Sequence, residues 1–157
     1  MLAGLLAVLA GPTAPALAIT APELRAQRAL QELEPDMHGR NLRQQEFLKA
    51  QMQDFDLHGA DLRGAVFNGS DLRGADLRDA DLGGVVAFAS RFEGADLRGA
   101  LLSDAMLLQS HFEGALIDGA DFTGAVLDRP ELKRLCAHAA GLHPRTGVAT
   151  RDSLGCR

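Results

Sequence analysis

The stretch from Arg40 to Arg129 repeats every five residues without a break. A period of five fits neither an α-helix, which repeats every 3.6 residues, nor a β-strand, which repeats every two. Self-similarity at a fixed short period indicates a solenoid, in which each unit packs mainly on its neighbours. The third residue of each five is apolar: Leu42, Phe47, Met52, Leu57, Leu62, Phe67, Leu72, Leu77, Leu82, Ala87, Phe92, Leu97, Leu102, Leu107, Phe112, Ile117, Phe122 and Leu127.

Several fives follow a stricter pattern of alanine, aspartate, leucine and two variable residues. Ala60–Gly64, Ala75–Asp79 and Ala95–Gly99 are examples. In these residues the chain resembles the pentapeptide-repeat family, whose pattern is A-(D/N)-L-x-x. The resemblance implies an all-β fold, a right-handed quadrilateral parallel β-helix with four fives in each coil. We expect this solenoid to span residues 36–129 and to carry short α-helical caps at both ends.

A coil of twenty residues would stack residues twenty positions apart. Stacked coils lie about 4.8 Å from one another. We call the apolar residue of each five its centre and number the four faces by their columns of centres. The first face stacks Leu42, Leu62, Leu82, Leu102 and Phe122; the second Phe47, Phe67, Ala87, Leu107 and Leu127; the third Met52, Leu72, Phe92 and Phe112; the fourth Leu57, Leu77, Leu97 and Ile117.

The residue before a centre is often aspartate, and glycine recurs two residues after a centre. We expect the aspartates to point outward and to form surface ion pairs with neighbouring arginines, because their periodicity is unlike a catalytic pair with unequal environments. The glycines are expected at corners, where a positive φ costs glycine least. The aspartates are Asp61, Asp71, Asp76, Asp81, Asp96 and Asp121, and the arginines are Arg63, Arg73, Arg78 and Arg98.

The N-terminal residues indicate export. Residues 1–18 carry no charged side chain and contain a short apolar run that ends in Ala16-Leu17-Ala18. This pattern is typical of a signal peptide cleaved after Ala18, and the run is too short for a membrane anchor. Residues 19–35 then predict an N-terminal capping helix that begins near Thr20 and ends before Pro35. A targeting or docking role for this helix is the alternative to a plug on the first coil.

Residues 130–157 are expected to form a C-terminal helical cap with a tail. A helix is predicted over Glu131–Ala139, and the two cysteines, Cys136 and Cys156, both lie in this region. In an exported protein such a pair implies a disulfide, which would tether the tail to the cap. A redox switch, or zinc bound by Cys136, His138, His143 and Cys156, is a weaker alternative. Thr146–Cys156 resembles the closing segment of exported pentapeptide-repeat proteins of cyanobacteria and chloroplasts.

The second face departs from the pattern because residues on both sides of its centres are apolar. Such a stripe on the outside of a rod favours an interface. The alternatives are that a terminal segment covers the stripe, or that Val85–Ala89 bulges and turns Phe88 inward. The candidate interface residues are Val66, Val86, Phe88, Met106, Leu108 and Val126.

These observations predict a non-enzymatic structural or protein-interaction module, with no catalytic residues, cofactor or metal, in the periplasm or thylakoid lumen. The expected partner is an unidentified protein or a second copy, with no membrane span after signal cleavage. A net charge of −5 with interleaved signs argues against nucleic acid, which selects clustered Lys and Arg. Alternatives are a DNA-mimicking protein that binds gyrase or topoisomerase, as the best-understood relatives do, and a redox-regulated lumenal assembly factor.

Overall fold

The fold is a rod of stacked, four-sided coils. The computed structural model describes Pro22 and residues 33–157. The predicted signal peptide, and nearly all of the predicted N-terminal helix, lie outside the described residues. From Asp36 onward each residue that precedes a centre forms a parallel bridge with the residue twenty positions later, from Asp36↔Asp56 through Met106↔Val126. The twenty-residue coil expected from the sequence is therefore present.

Three backbone hydrogen bonds per five hold adjacent coils together. Leu77 N–H donates to the Asp96 carbonyl at 2.8 Å, Asp79 N–H donates to the Arg98 carbonyl at 3.0 Å, and Asp96 N–H donates to the Ala75 carbonyl at 2.9 Å. The same three bonds recur up each face, so most of the backbone at the sides bonds to the coils above and below. This explains how bridges of single residues, without long strands, build a continuous parallel ladder.

The corners repeat one turn geometry. In the turn from Leu62 to Ala65, the Ala65 N–H donates to the Leu62 carbonyl at 2.9 Å, and Gly64 has φ of +67°. A bond of this kind with positive φ at the third residue is a type II turn. The residue two positions after each centre, from Gly39 to Gly124, has a positive φ, and seven of these residues are not glycine. These are Gln44, Lys49, Asp54, Asp79, Ala89, Asp104 and Gln109.

The interior contains the four predicted columns, with alanines packed in the corners. Every centre from Phe47 to Phe122 is buried, whereas Leu42 and Leu127 at the two ends are half-buried. Phe92 and Phe112 stack with ring centroids 4.9 Å apart, which matches the rise between coils. The small centre Ala87 is also fully buried, and Val85 beside it is larger than the alanine usual at its position. Val85 thereby supplies volume next to Ala87.

The C-terminal segment closes the last coil. Helix α1 spans Arg129–Cys136, two residues earlier at its start and three earlier at its end than the sequence predicts, with Pro130 in its first turn. Helix α2 spans Thr150–Ser153, and a single antiparallel bridge joins Leu142 to Ala149 between the two helices. Among the described residues, none forms a helix long and apolar enough to cross a membrane.

Side chains replace the missing next coil at this end. Three backbone N–H groups of the last coil donate to side chains of the C-terminal segment. The Gln109 N–H donates to Asp128 Oδ2, the Phe112 N–H to Glu131 Oε2 at 3.0 Å, and the Phe122 N–H to Ser153 Oγ at 3.0 Å. Asp128 precedes α1 but makes no capping bond to it. Its carboxylate bonds to the rod instead, and Glu131 is buried for the same purpose.

Candidate functional site

The second face presents the predicted apolar stripe to the outside. By the apolar stripe we mean Val66, Val86, Phe88, Met106, Leu108 and Val126. Parallel bridges connect the residues before its centres in one unbroken column: Val66 to Val86, Val86 to Met106 and Met106 to Val126. These side chains point away from the buried centres because successive residues of an extended chain face opposite sides. The stripe is thus built on a regular ladder rather than on a loop.

Half of the stripe is strongly exposed. Phe88 is 44% exposed, Met106 48% and Val126 44%, whereas Val66, Val86 and Leu108 are half-buried. Leu48, one coil below Asn68, is 53% exposed and extends the apolar surface toward the N-terminal end. The ladder through Val86 is unbroken and Phe88 points outward, so the alternative of a bulge over Val85–Ala89 is wrong.

The middle of the second face carries no charge next to its centres. In the coils centred on Phe67, Ala87 and Leu107 these positions hold the stripe residues and Asn68. The Asn68 Oδ1 accepts the Phe88 N–H at 3.0 Å, so this polar side chain lies along the ladder. Charged side chains beside second-face centres occur at Glu46 near one end and Asp128 at the other.

The C-terminal tail does not lie over the apolar stripe. Its contacts are with the first and fourth faces: Thr146 Oγ1 donates to Asp121 Oδ2 at 2.7 Å, and the Ala140 carbonyl accepts the Gly119 N–H at 2.9 Å. That alternative for the tail is therefore wrong. The same alternative for the N-terminal segment falls on residues outside the described part.

The first, third and fourth faces carry the predicted ion pairs. Arg63 binds both carboxylate oxygens of Asp61, with Nη2 2.5 Å from Oδ2, and Arg78 and Arg98 bind Asp76 and Asp96 in the same way. The hydrogen bond from Arg63 is the main reason that the pKa of Asp61 falls to about 2. These carboxylates are ionised and held by their own arginines, which suits a surface ladder and not an acid–base pair.

Two of the aspartates differ from the expectation because they are buried. Asp71 is 6% exposed, since Arg73 and Gln53 close over its carboxylate. Asp121 is 2% exposed because the tail covers it. Burial alone would raise the pKa of Asp121, but the hydrogen bonds from Thr123 and Thr146 lower it overall.

A buried serine column is a feature that the sequence analysis missed. Ser70, Ser90 and Ser110 lie twenty residues apart at corner positions usually occupied by alanine, and each is fully buried. The Ser90 N–H donates to Ser110 Oγ, and the Ser90 Oγ donates to the Phe67 carbonyl at 2.6 Å. Their spacing of twenty was the available signal. Their bonds all go to backbone groups, of the adjacent coil except for the Ser90 Oγ bond to the Phe88 carbonyl at 3.3 Å, so we assign them a structural part.

A disulfide joins Cys136 at the end of α1 to Cys156 in the tail, with Cα atoms 5.5 Å apart. His143, which lies between the two cysteines in the sequence, is buried. Its Nδ1 accepts hydrogen bonds from the backbone N–H groups of Arg145 and Thr146. Within the described residues no group of three or more His, Cys, Asp or Glu side chains is placed to hold a metal ion.

Comparisons with known proteins agree with this architecture. The family model described as Pentapeptide repeats matches residues 50–86 and 90–129 in eight copies. A 36-residue stretch is 53% identical to the thylakoid lumenal protein TL20.3, chloroplastic, of Arabidopsis thaliana. That match covers 23% of this chain and 13% of the relative, so the chain spans only a small part of that protein's length.

Two solved structures are also similar. One is a pentapeptide repeat protein (Rfr23) from the cyanobacterium Cyanothece 51142, which is 19% identical over 69% of this chain and 97% of its own, with a TM-score of 0.50. The other is a pentapeptide repeat protein from the Arabidopsis thaliana thylakoid lumen, 34% identical over 76% of this chain and 90% of its own, with a TM-score of 0.33. The repeats, the twenty-residue ladder and these relatives together show that the chain belongs to the pentapeptide-repeat family.

Proposed function

We propose that this protein is a non-enzymatic interaction module of an exported compartment and that the apolar stripe is its binding surface. The observation that carries the proposal is the exposure of Phe88, Met106 and Val126, each near half exposed, on a face whose middle has no charged residue beside its centres. A contiguous exposed apolar patch on a soluble protein commonly marks an interaction site. A rigid ladder also holds these side chains in fixed positions, which lowers the entropy lost on binding.

Three features support the exported compartment. Residues 1–18 have the pattern of a signal peptide. The Cys136–Cys156 bond is of a kind that persists in oxidising compartments. The similarity to a thylakoid lumenal protein adds the lumen to the periplasm as a candidate location.

The paired charges disfavour the DNA-mimic alternative. A mimic of DNA needs uncompensated negative charge along its surface, whereas Asp61, Asp76 and Asp96 each bind an arginine of the same chain. Cell fractionation distinguishes the two hypotheses, because a gyrase-binding protein must be in the cytosol with its target. Recovery in the cytosolic fraction would contradict the exported module.

The binding surface is tested with the double variant Val86→Asp/Met106→Asp. Aspartate is common at this position of the repeat, for example at Asp76, so the backbone should accept both changes. The matched control is Leu116→Asp, which alters an equally exposed residue (48%, as for Met106) on the fourth face. We expect the double variant to fold normally by circular dichroism and to lose a specific partner, or self-association, that the wild type and Leu116→Asp retain. Retention by the folded double variant would overturn the proposal.

A further inference from the structure

We propose that the occupant of the apolar stripe is a second copy of this chain, packed with its own second face against the first. This inference rests on the stripe being a binding surface, as proposed above. It also goes further, because it names the partner and the arrangement. The arguments are the distribution of charge, the period of the ladder and the pairing of side chains across a two-fold axis.

The charge distribution makes the second face the one suited to meet itself. Ladders of aspartate and arginine run along the first and fourth faces, and the third face carries Asp71, Arg91 and Glu93. The second face has no charged residue beside its centres from Val66 to Val126. Two such faces can approach each other without burying like charges, which would otherwise cost binding free energy.

The ladder period also favours a second copy. Exposed side chains on this face recur once per coil, with coils about 4.8 Å apart. A second copy has the same rise, so its side chains stay in step along the whole contact. The α-helix rises about 5.4 Å per turn, and its side chains would drift out of step within a few coils.

A two-fold axis parallel to the rod pairs apolar side chains in the middle of the contact. It sets the residue before each centre opposite the residue after the centre, at the same height, in the partner. Val86 then meets the second copy's Phe88, and Met106 meets its Leu108. Antiparallel packing would instead set Leu48 against Asp128, so we infer the parallel arrangement.

The polar groups at the rim already have partners within the chain. Asn68 Oδ1 accepts the Phe88 N–H at 3.0 Å, and Asp128 Oδ2 accepts the Gln109 N–H. In the parallel arrangement the two Asp128 side chains lie at opposite edges of the contact. Neither acceptor loses its bond when the faces meet, so the polar rim does not oppose association.

The size of the face sets the strength of association. Four coils give a stripe about 15–20 Å tall, a few hundred Å² on each copy, against about 800 Å² per partner in a standard stable interface. The dimer should therefore be weak and concentration-dependent.

Analytical ultracentrifugation of the purified full-length chain, from about 10 μM to about 1 mM, tests the proposal. We expect the wild type and Leu116→Asp to shift from monomer toward dimer as concentration rises. Met106→Asp and Val86→Asp should remain monomeric at every concentration, with unchanged circular dichroism and melting temperature. A wild-type monomer at the highest concentration, or equal loss in Leu116→Asp, would overturn self-association.

Mixing two single variants tests the parallel arrangement. Val86→Lys and Phe88→Asp should each dimerise poorly alone, because each puts a charge against an apolar side chain. In a parallel heterodimer the new lysine faces the new aspartate, so the mixture should recover the dimer. An antiparallel pair would set Lys against Val and Phe against Asp, and a mixture that stays monomeric would overturn the parallel arrangement.

The two proposals can fail separately. A wild-type monomer, together with a partner protein lost only by Val86→Asp/Met106→Asp, would overturn self-association and leave the binding surface standing. A wild-type monomer with a partner retained by that variant would overturn both.

Discussion

The Ser90 N–H lies 2.9 Å from Ser110 Oγ, twenty residues later and one coil above. The same hydroxyl donates to the Ala87 carbonyl. Ser110 therefore bridges the donor and acceptor that bond directly in most other corners. Ser70 does the same two coils lower in the same column, between the Ala50 N–H and the Phe47 carbonyl. These serines thus link adjacent coils at a corner, in addition to the backbone bonds that link the coils along the faces.

Replacing Ser110 with alanine should cost little. The bridged turn can close by the direct bond seen in the corner that ends at Ala105, where N–H and carbonyl are 3.2 Å apart. We expect Ser110→Ala to lower the free energy of unfolding by about 0.5–1.5 kcal/mol in urea titrations. Ser103→Ala, on the first face, is the control and should change it less. A loss above about 3 kcal/mol would mean that the turn cannot close.

The period of five predicted a solenoid with one buried apolar residue per unit. The twenty-residue coil, and with it the four columns and the outward stripe, followed from the resemblance to the pentapeptide-repeat family. The sequence did not predict the burial of Asp71 and Asp121. The burial of Asp71 depends on Gln53 from the coil below. The burial of Asp121 depends on Thr146 in the tail, twenty-five residues later in the sequence. Neither contact follows from local pattern. The same is true of Asp128 and Glu131, whose bonds to the rod are non-local.

The helix boundaries were less predictable than the repeats for a related reason. The sequence places the start of α1 at Glu131, but the helix begins at Arg129. Pro130 fits a first turn, and the side chains of Asp128 and Glu131 are drawn to the exposed N–H groups of the last coil. The register of the rod, which ends there, fixes where the helix begins.

Acid should weaken the contribution of Asp71. The hydrogen bond from Arg73 is the main reason that its pKa lies at about 2, below the ordinary 3.8. A carboxyl whose pKa is lowered by folding stabilises the protein fully above its unfolded pKa, and this contribution disappears as the pH falls through the folded value. The gap in unfolding free energy between wild type and Asp71→Asn should therefore be constant above about pH 5 and shrink toward pH 2.

Urea titrations at pH 6, 4 and 2 would measure this gap for Asp71→Asn. Arg73→Gln should reproduce most of the loss at pH 6, because either change breaks the same pair. The double variant should lose little more than either single one. A gap that does not change with pH would contradict the assignment.

Corner residues with positive φ offer a matched pair of glycine exchanges. Ala89 has φ of +53° and is exposed, whereas Gly84 has φ of +63° with no atom within 4 Å of where a Cβ would lie. A residue other than glycine is destabilised by about 1–2 kcal/mol in this region of φ. Part of this cost is offset because glycine loses more conformational entropy on folding. We expect Ala89→Gly to raise the free energy of unfolding and Gly84→Ala to lower it, each by about 0.5–1 kcal/mol, with melting temperatures that shift in the same directions. Shifts of the same sign would contradict this.

The disulfide should stabilise the tail more than the rod. Closing a loop of about twenty residues contributes on the order of 3 kcal/mol. We expect Cys136→Ser/Cys156→Ser to speed amide hydrogen exchange at residues 143–157, where backbone bonds such as His143 N–H to the Val148 carbonyl hold the tail. Exchange at Leu77, two coils below the Gly119 N–H that bonds to the Ala140 carbonyl, should stay unchanged, because each coil contacts mainly its neighbours. Faster exchange throughout the rod would show instead that the tail holds the whole solenoid.

The fourth face provides the sharpest test of the column architecture. Leu97 and Leu116 lie on the same face, and both can be changed to aspartate. Leu97 is a fully buried centre in the stack that includes Leu77 and Ile117, whereas Leu116 is 48% exposed at a position where the repeat often has aspartate. Leu97→Asp removes about 1.5–3 kcal/mol of apolar burial and puts an unpaired charge where water has no room.

We expect a loss of more than about 4 kcal/mol for Leu97→Asp, enough to unfold a domain of ordinary stability, and a loss within about 0.5 kcal/mol for Leu116→Asp. Circular dichroism melting curves of the two variants measure the difference. Leu77→Asp should behave as Leu97→Asp does, because it occupies the same column one coil below. Equal melting temperatures for Leu97→Asp and the wild type would exclude the four-column interior, since only a centre that faced water could accept the charge.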